Sequence, residues 1–132
     1  KFDATSFWTL SKLNIEIISA TPMQKVLEKT DFYITTYSQT LFEASCLGIP
    51  VVYYKKDKEV LNPPFDNQSE LVTVSNYQDL VQAFYDFQNK HERFEQFLKH
   101  QIMEKYIGYL DGKNVERNIA FIHKLLEKRS NA

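Results

Sequence analysis

An alternation along the first 54 residues most constrains what this chain can fold into. Three short runs of strand length, Asn14 to Ser19 (NIEIIS), Asp31 to Thr35 (DFYIT) and Ile49 to Tyr54 (IPVVYY), are rich in β-branched and aromatic residues. The stretches between them carry helix signals instead. Thr21 is well placed to cap a helix with Pro22 as its first residue and Gln24 as reciprocal partner, ahead of Met23, Val26 and Leu27 on one face. Thr36 to Leu47 reads as a second helix, ended by Gly48. Strands joined through helices imply βαβ crossovers, hence a parallel sheet with right-handed connections. The expected class is α/β, a Rossmann-like parallel sheet flanked by helices.

A long loop follows, Lys55 to Ser69, with turn formers at Pro63-Pro64 and Asp66-Asn67, then a fourth strand at Glu70 to Val74. Ser75 and Gln78 repeat the capping box before a helix carrying Tyr77, Leu80, Val81, Phe84 and Phe87. From Glu92 to Leu110, Phe94, Phe97, Leu98, Ile102 and Tyr106 mark one further helix, interrupted by Asp111-Gly112. The chain closes on an amphipathic helix from Val115 to Lys128, with Val115, Ile119, Ile122 and Leu126 on one side. The expectation is four strands with alternating helices and a helical C-terminus, forming one domain over residues 1–132.

Composition narrows the function classes. With 43% hydrophobic and 25% charged residues, the chain has the balance of one globular domain. Cys46 has no second cysteine to pair with, and no basic-then-apolar leader pattern opens the sequence, so a reducing, cytoplasmic setting is the default expectation. Phe32 to Tyr54 is broken by Gly48 and Pro50 and carries Glu43, unlike a membrane span. Net charge is −1, but residues 1–89 hold 7 Lys/Arg against 11 Asp/Glu while residues 90–132 hold 9 against 6. A basic tail of this kind is ordinarily a solvated helix surface. The other reading is contact with acidic lipid or another domain, which would put the protein at the inner face of the membrane. Neither a basic stripe nor a recognisable motif supports nucleic-acid binding.

In open parallel sheets, ligands sit beyond the carboxyl ends of the strands, so the loops after Thr35 and Tyr54 are the places to search. Thr36, Tyr37, Ser38, Gln39 and Thr40 bring hydroxyls and unpaired backbone N–H groups to a helix start, an acceptor for phosphate oxygens. Glu43 shares a face with Gln39 and Thr40, where a carboxylate can accept two hydrogen bonds from a diol. The plainer reading makes Thr36 and Gln39 a capping box and Glu43 an ordinary helix residue. Lys55, with Lys56 and Lys58, follows the third strand where a diphosphate would lie, although Asp57 and Glu59 alternate with them. His91, His100 and His123 have no second ligand at metal spacing, so no metal is expected. Cys46, near a helix end, reads as a core residue. Tyr53 and Tyr54 read as buried strand residues, whereas Phe65 in the Pro-rich loop is a candidate ring for a base or sugar. Tyr85, Phe87, Phe94 and Phe97 read as core, or as a contact with a further domain.

Taken whole, T-Y-S-Q-T-L-F-E-A-S-C-L-G-I-P-V-V, Thr36 to Val52, resembles the signature of the GT-B glycosyltransferase superfamily. There a Ser/Thr-bearing strand end leads into a helix with Glu, a small residue, and Gly-x-Pro-Val. The resemblance implies a C-terminal, nucleotide-diphospho-sugar donor-binding half, with Glu43 on the ribose hydroxyls, Ser38, Gln39 and Thr40 facing the diphosphate, and Gly48 and Pro50 structural. It covers Asn14 to Tyr54 and extends through the following strand and helix. The loop Asn62 to Glu70 looks like loops in enzymes that build bacterial capsule or surface polysaccharide. Two departures matter. No Gly-rich or basic loop precedes Asn14, and the only glycines are Gly48, Gly108 and Gly112. The resemblance therefore implies only part of such an enzyme, with acceptor binding and the catalytic base supplied by an N-terminal domain or a partner chain. Sugar-nucleotide epimerases, hydrolases and glycerol-phosphate polymerases share the same layout, and a non-catalytic interaction module on this scaffold is a further alternative.

Overall fold

The computed structural model describes residues 14–131. Its elements are α1 (Met23–Leu27), β1 (Tyr33–Thr35), α2 (Thr40–Cys46), β2 (Val51–Tyr54), β3 (Thr73–Val74), α3 (Tyr77–Gln88), two short 3₁₀ turns (Glu92–Phe94 and Gln96–Leu98), α4 (His100–Ile107) and α5 (Asn114–Ser130). The strands form an open sheet in the order β1-β2-β3. Both pairings are parallel, Tyr33 opposite Val51 and Tyr53 opposite Thr73. The class is α/β with a helical C-terminus, compatible at a coarse level with a Rossmann-like fold.

β2 is central, and its side chains alternate between two apolar clusters. Val51 and Tyr53 join Leu27, Leu41, Phe42, Phe65, Phe97 and Met103 in one. Val52 joins Val72, Val74, Ala83 and Phe94 in the other, with Phe32 and Phe87 packed against them. A parallel strand covered on both faces must be apolar throughout, which is why Val51, Val52 and Tyr53 are all buried.

The expected strand at Asn14 to Ser19 is absent from the sheet, which therefore has three strands and not four. Ile15, Ile17 and Ile18 are exposed. β-branched residues favour an extended backbone, but a strand exists only where a neighbour takes up its N–H and C=O groups. Among the described residues β1 pairs with β2 alone. The fourth expected strand, Glu70 to Val74, narrows to Thr73–Val74.

Helix ends differ from expectation by small, physical amounts. α1 starts after Pro22 without a side-chain cap, so Thr21 does not close the expected box; the Pro22 carbonyl accepts from Lys25 N at 3.0 Å. α3 is capped one residue later than expected. Asn76, not Ser75, accepts from Asp79 N at 2.9 Å, and its amide donates back to the Asp79 carboxylate at 2.7 Å. α2 ends as the sequence indicates: Gly48, at φ +76°, donates to Ser45 O, and Ile49 N donates to Ala44 O.

The single helix expected over Glu92 to Leu110 is broken into two 3₁₀ turns and α4, with Lys99 extended at ψ 133°. Phe94, in the first 3₁₀ turn, enters one core cluster, and Phe97, in the second, enters the other. Of the four rings expected to be buried, Phe94 and Phe97 are, Phe87 is half-buried, and Tyr85 is exposed. Among the described residues, no helix is long and apolar enough to cross a membrane.

Candidate functional site

The carboxyl ends of the parallel strands converge on the turn between β1 and α2. Thr36 and Tyr37 bend away from β1, and Ser38 and Gln39 lead into α2 at Thr40. The expected capping box of Thr36 with Gln39 does not form. Gln39 itself precedes the helix without a side-chain cap, and the Ser38 hydroxyl accepts from Thr40 N at 3.3 Å. Ser, Thr and Asn side chains bond readily to nearby backbone and so settle at such turns.

Three hydroxyls are linked across this turn. Tyr33 Oη, from β1, lies 2.6 Å from Thr40 Oγ1, which lies 2.7 Å from Ser38 Oγ. Ser38 and Thr40 are half-buried, whereas Thr36 and Gln39 are exposed. Thr36 contributes its carbonyl, which accepts from the Thr35 hydroxyl at 3.0 Å. Tyr33 went unnoticed in the sequence, because nothing in spacing indicates that a strand tyrosine meets a threonine seven positions on. Glu43, in the first turn of α2, is exposed and makes no side-chain hydrogen bond to another described residue. Thr36, Ser38, Gln39, Thr40 and Glu43 thus share one turn and the first helical turn after it.

Lys55 does not join them. Its ammonium donates to Val60 O at 2.8 Å and to Phe65 O at 2.7 Å, tying the long loop back onto the end of β2. Two carbonyls in reach satisfy a half-buried ammonium, and they occupy donors that a diphosphate would need. Lys56 and Lys58 are exposed beside Asp57 and Glu59.

Phe65 is also not where the sequence suggested. It is 1% exposed and meets Tyr53 at 5.0 Å and Phe42 at 6.2 Å between ring centres, both edge-on. It is a core residue that anchors its loop. The ring offered to solvent is that of Tyr37, 48% exposed and edge-on to Phe65 at 4.7 Å. Tyr53 is buried as expected, and Tyr54 is half-buried against the second cluster. Burial first, then the Asp57 carboxylate, holds the Tyr53 phenol above its usual range, so it stays neutral.

The remaining titratable candidates serve local structure. Cys46 is exposed, contrary to the expectation of a core cysteine. Desolvation by its surroundings still pushes its thiol up, away from a reactive thiolate. With Ser45 and His100 it borders a cavity of about 290 Å³ beside α4. His91 Nδ1 accepts from Arg93 N at 3.0 Å, and His100 Nε2 lies 3.1 Å from a Glu104 oxygen. The site is thus a hydroxyl-lined turn at the strand ends, next to an exposed carboxylate that has no side-chain partner among the described residues. No protein family, curated protein or solved structure matches this chain.

Proposed function

We propose that this chain is the nucleotide-diphospho-sugar-binding half of a glycosyltransferase, of a kind that serves surface polysaccharide or glycoconjugate synthesis. Glu43 takes the ribose diol, and Ser38, Gln39 and Thr40, with Thr36 at the rim, receive the diphosphate. The observation that carries this reading is the contrast within one turn. The Tyr33, Thr40 and Ser38 hydroxyls are held in a chain at 2.6 and 2.7 Å, while the Glu43 carboxylate one turn on is exposed and makes no side-chain hydrogen bond to another described residue. Linked hydroxyls need little reorganisation to turn toward an anion, and a carboxylate accepts both hydroxyls of a diol.

In the transfer step, negative charge grows on the departing diphosphate. The N-terminal dipole of α2 and the two hydroxyls oppose that charge. Lys55, committed to Val60 and Phe65, is left out of this role. Acceptor binding and proton removal fall to a second domain or chain, and closure of the two excludes water from the reacting centre.

Calorimetric titration with UDP, CDP and GDP, on the intact chain and on Glu43→Ala, tests the reading. One nucleotide is expected to bind, with affinity reduced at least about tenfold in the variant, the effect of losing one charged hydrogen-bonding group. A nucleotide that binds both proteins equally would remove Glu43 from the site, and no binding by any of the three would refute a donor site on this chain.

A further inference from the structure

Tyr33 stands at one end of the hydroxyl chain and Ser38 at the other. Tyr33 Oη lies 2.6 Å from Thr40 Oγ1, and Thr40 Oγ1 lies 2.7 Å from Ser38 Oγ. A hydroxyl brings one proton and two lone pairs. Two oxygen–oxygen contacts among three hydroxyls therefore use two protons and leave one to spare. Where the spare proton falls decides what the turn offers a ligand. On Ser38 it is a donor facing outward from the turn, whereas on Tyr33 it is withdrawn to the strand.

Two features direct it to Ser38. A phenol is a better donor than an aliphatic alcohol, and among the described residues Thr40 Oγ1 is the one hydrogen-bond partner of Tyr33 Oη, so Tyr33 donates to Thr40. Thr40 in turn donates to Ser38, whose oxygen also accepts from Thr40 N at 3.3 Å. Both lone pairs of Ser38 are then engaged, and its own O–H is left to donate. Each donated bond polarises the next, so the phenol strengthens the Ser38 proton through Thr40. Without the phenol, Thr40 Oγ1 is free to accept from Ser38 instead, which turns that proton inward.

We infer that Tyr33 is a positioning residue: by donating to Thr40 it aims the Ser38 proton at the anionic part of the ligand. This rests on the nucleotide reading of the turn. Titration of the full chain with UDP, CDP and GDP, repeated on variants at positions 33 and 40, tests it. Tyr33→Phe keeps the ring and removes the hydroxyl, and is expected to weaken binding of the nucleotide that the parent binds by about fivefold, the worth of one hydrogen bond. With Thr40→Val already present the chain is cut, and adding Tyr33→Phe is expected to change affinity by less than about twofold. With Thr40→Ser, which returns the hydroxyl, the loss of about fivefold on adding Tyr33→Phe is expected to reappear. A role confined to packing would give the same loss in all three backgrounds. The inference is overturned if Tyr33→Phe binds as tightly as the parent, or if its loss is the same with Val and with Ser at position 40. Either result leaves the donor reading to stand or fall on Glu43→Ala. A parent chain that binds none of the three nucleotides overturns the donor reading and this role together.

Discussion

Lys55 and Glu43 illustrate how opposite roles can follow from similar places. Lys55 directly follows β2 and Glu43 lies in the first turn of α2, yet one charge is taken up by two carbonyls and the other is exposed. The sequence gives the order of charges along a loop but not which carbonyls the loop brings back, so Lys55 read as a phosphate ligand. Replacing it with methionine keeps the stem and removes the charge. Lys55→Met is expected to lower unfolding free energy by about 1–2 kcal/mol, the worth of hydrogen bonds from a charged donor at a half-buried site. Nucleotide affinity is expected to stay unchanged. Urea denaturation and titration separate the two effects, and an affinity loss at unaltered stability would restore Lys55 to the phosphate. Gly48 was legible for the converse reason. Its φ of +76° is set by the helix end itself, and a Cβ there would meet nothing within 4 Å, so backbone conformation alone selects glycine.

Among the elements, the long loop from Lys55 to Ser69 is the one whose character changed most between sequence and structure. In sequence its Phe65 reads as a ring for a base or sugar, but Phe65 is seated in the core and Ser69 Oγ donates to Pro64 O at 2.7 Å. Phe65→Ala is expected to cost about 3–5 kcal/mol, as for other buried rings. The thermal midpoint should fall, and limited proteolysis should cut within the loop. An unchanged midpoint would mean that the ring is not held between Tyr53 and Phe42. What could be read in advance was local. α2 and β2 follow from the helix end at Gly48 and the apolar run after it, both decided within a few residues. What could not be read depended on partners far along the chain. Phe94 and Phe97 settle in different core clusters, and the Asn14 to Ser19 run pairs with no strand among the described residues. At the candidate site, the shared turn of Thr36 to Glu43 was legible because these residues are contiguous, whereas the contact of the Tyr33 hydroxyl with Thr40 and of the Tyr37 ring with Phe65 depends on the sheet and the long loop.

At the level of the whole molecule, the folded chain holds several carboxyls below their ordinary range. Glu70 is lowered chiefly by the Tyr106 hydroxyl, which donates at 2.6 Å, and to a lesser degree by Lys105. Asp86 is lowered by Gln82 and Arg93, and Asp111 by its paired Arg117. A carboxyl that is more acidic folded than unfolded stabilises the fold above its unfolded pKa, and this contribution disappears as pH falls through the folded value. Cys46, Tyr53 and Tyr106 are shifted upward, so their contribution is present below their unfolded values and is lost as pH rises past them. The urea midpoint is therefore expected to be level from about pH 6 to 8, to decline below about pH 4, and to decline again above about pH 9. Tyr106→Phe should lower stability by about 1–2 kcal/mol at neutral pH and flatten the acid decline. An acid decline identical in Tyr106→Phe and the parent would show that Glu70 does not take part.

The parallel ladder joins Tyr33 to Val51 and Tyr53 to Thr73, both closures of about twenty residues. Neither strand pair waits for a distant part of the chain. Short closures carry a small entropic penalty and favour rapid folding, so the β1-α2-β2 unit can assemble first and give β3 and its long loop an edge on which to settle. The turn that bears Ser38, Thr40 and Glu43 would then be among the earliest parts of the molecule to take shape.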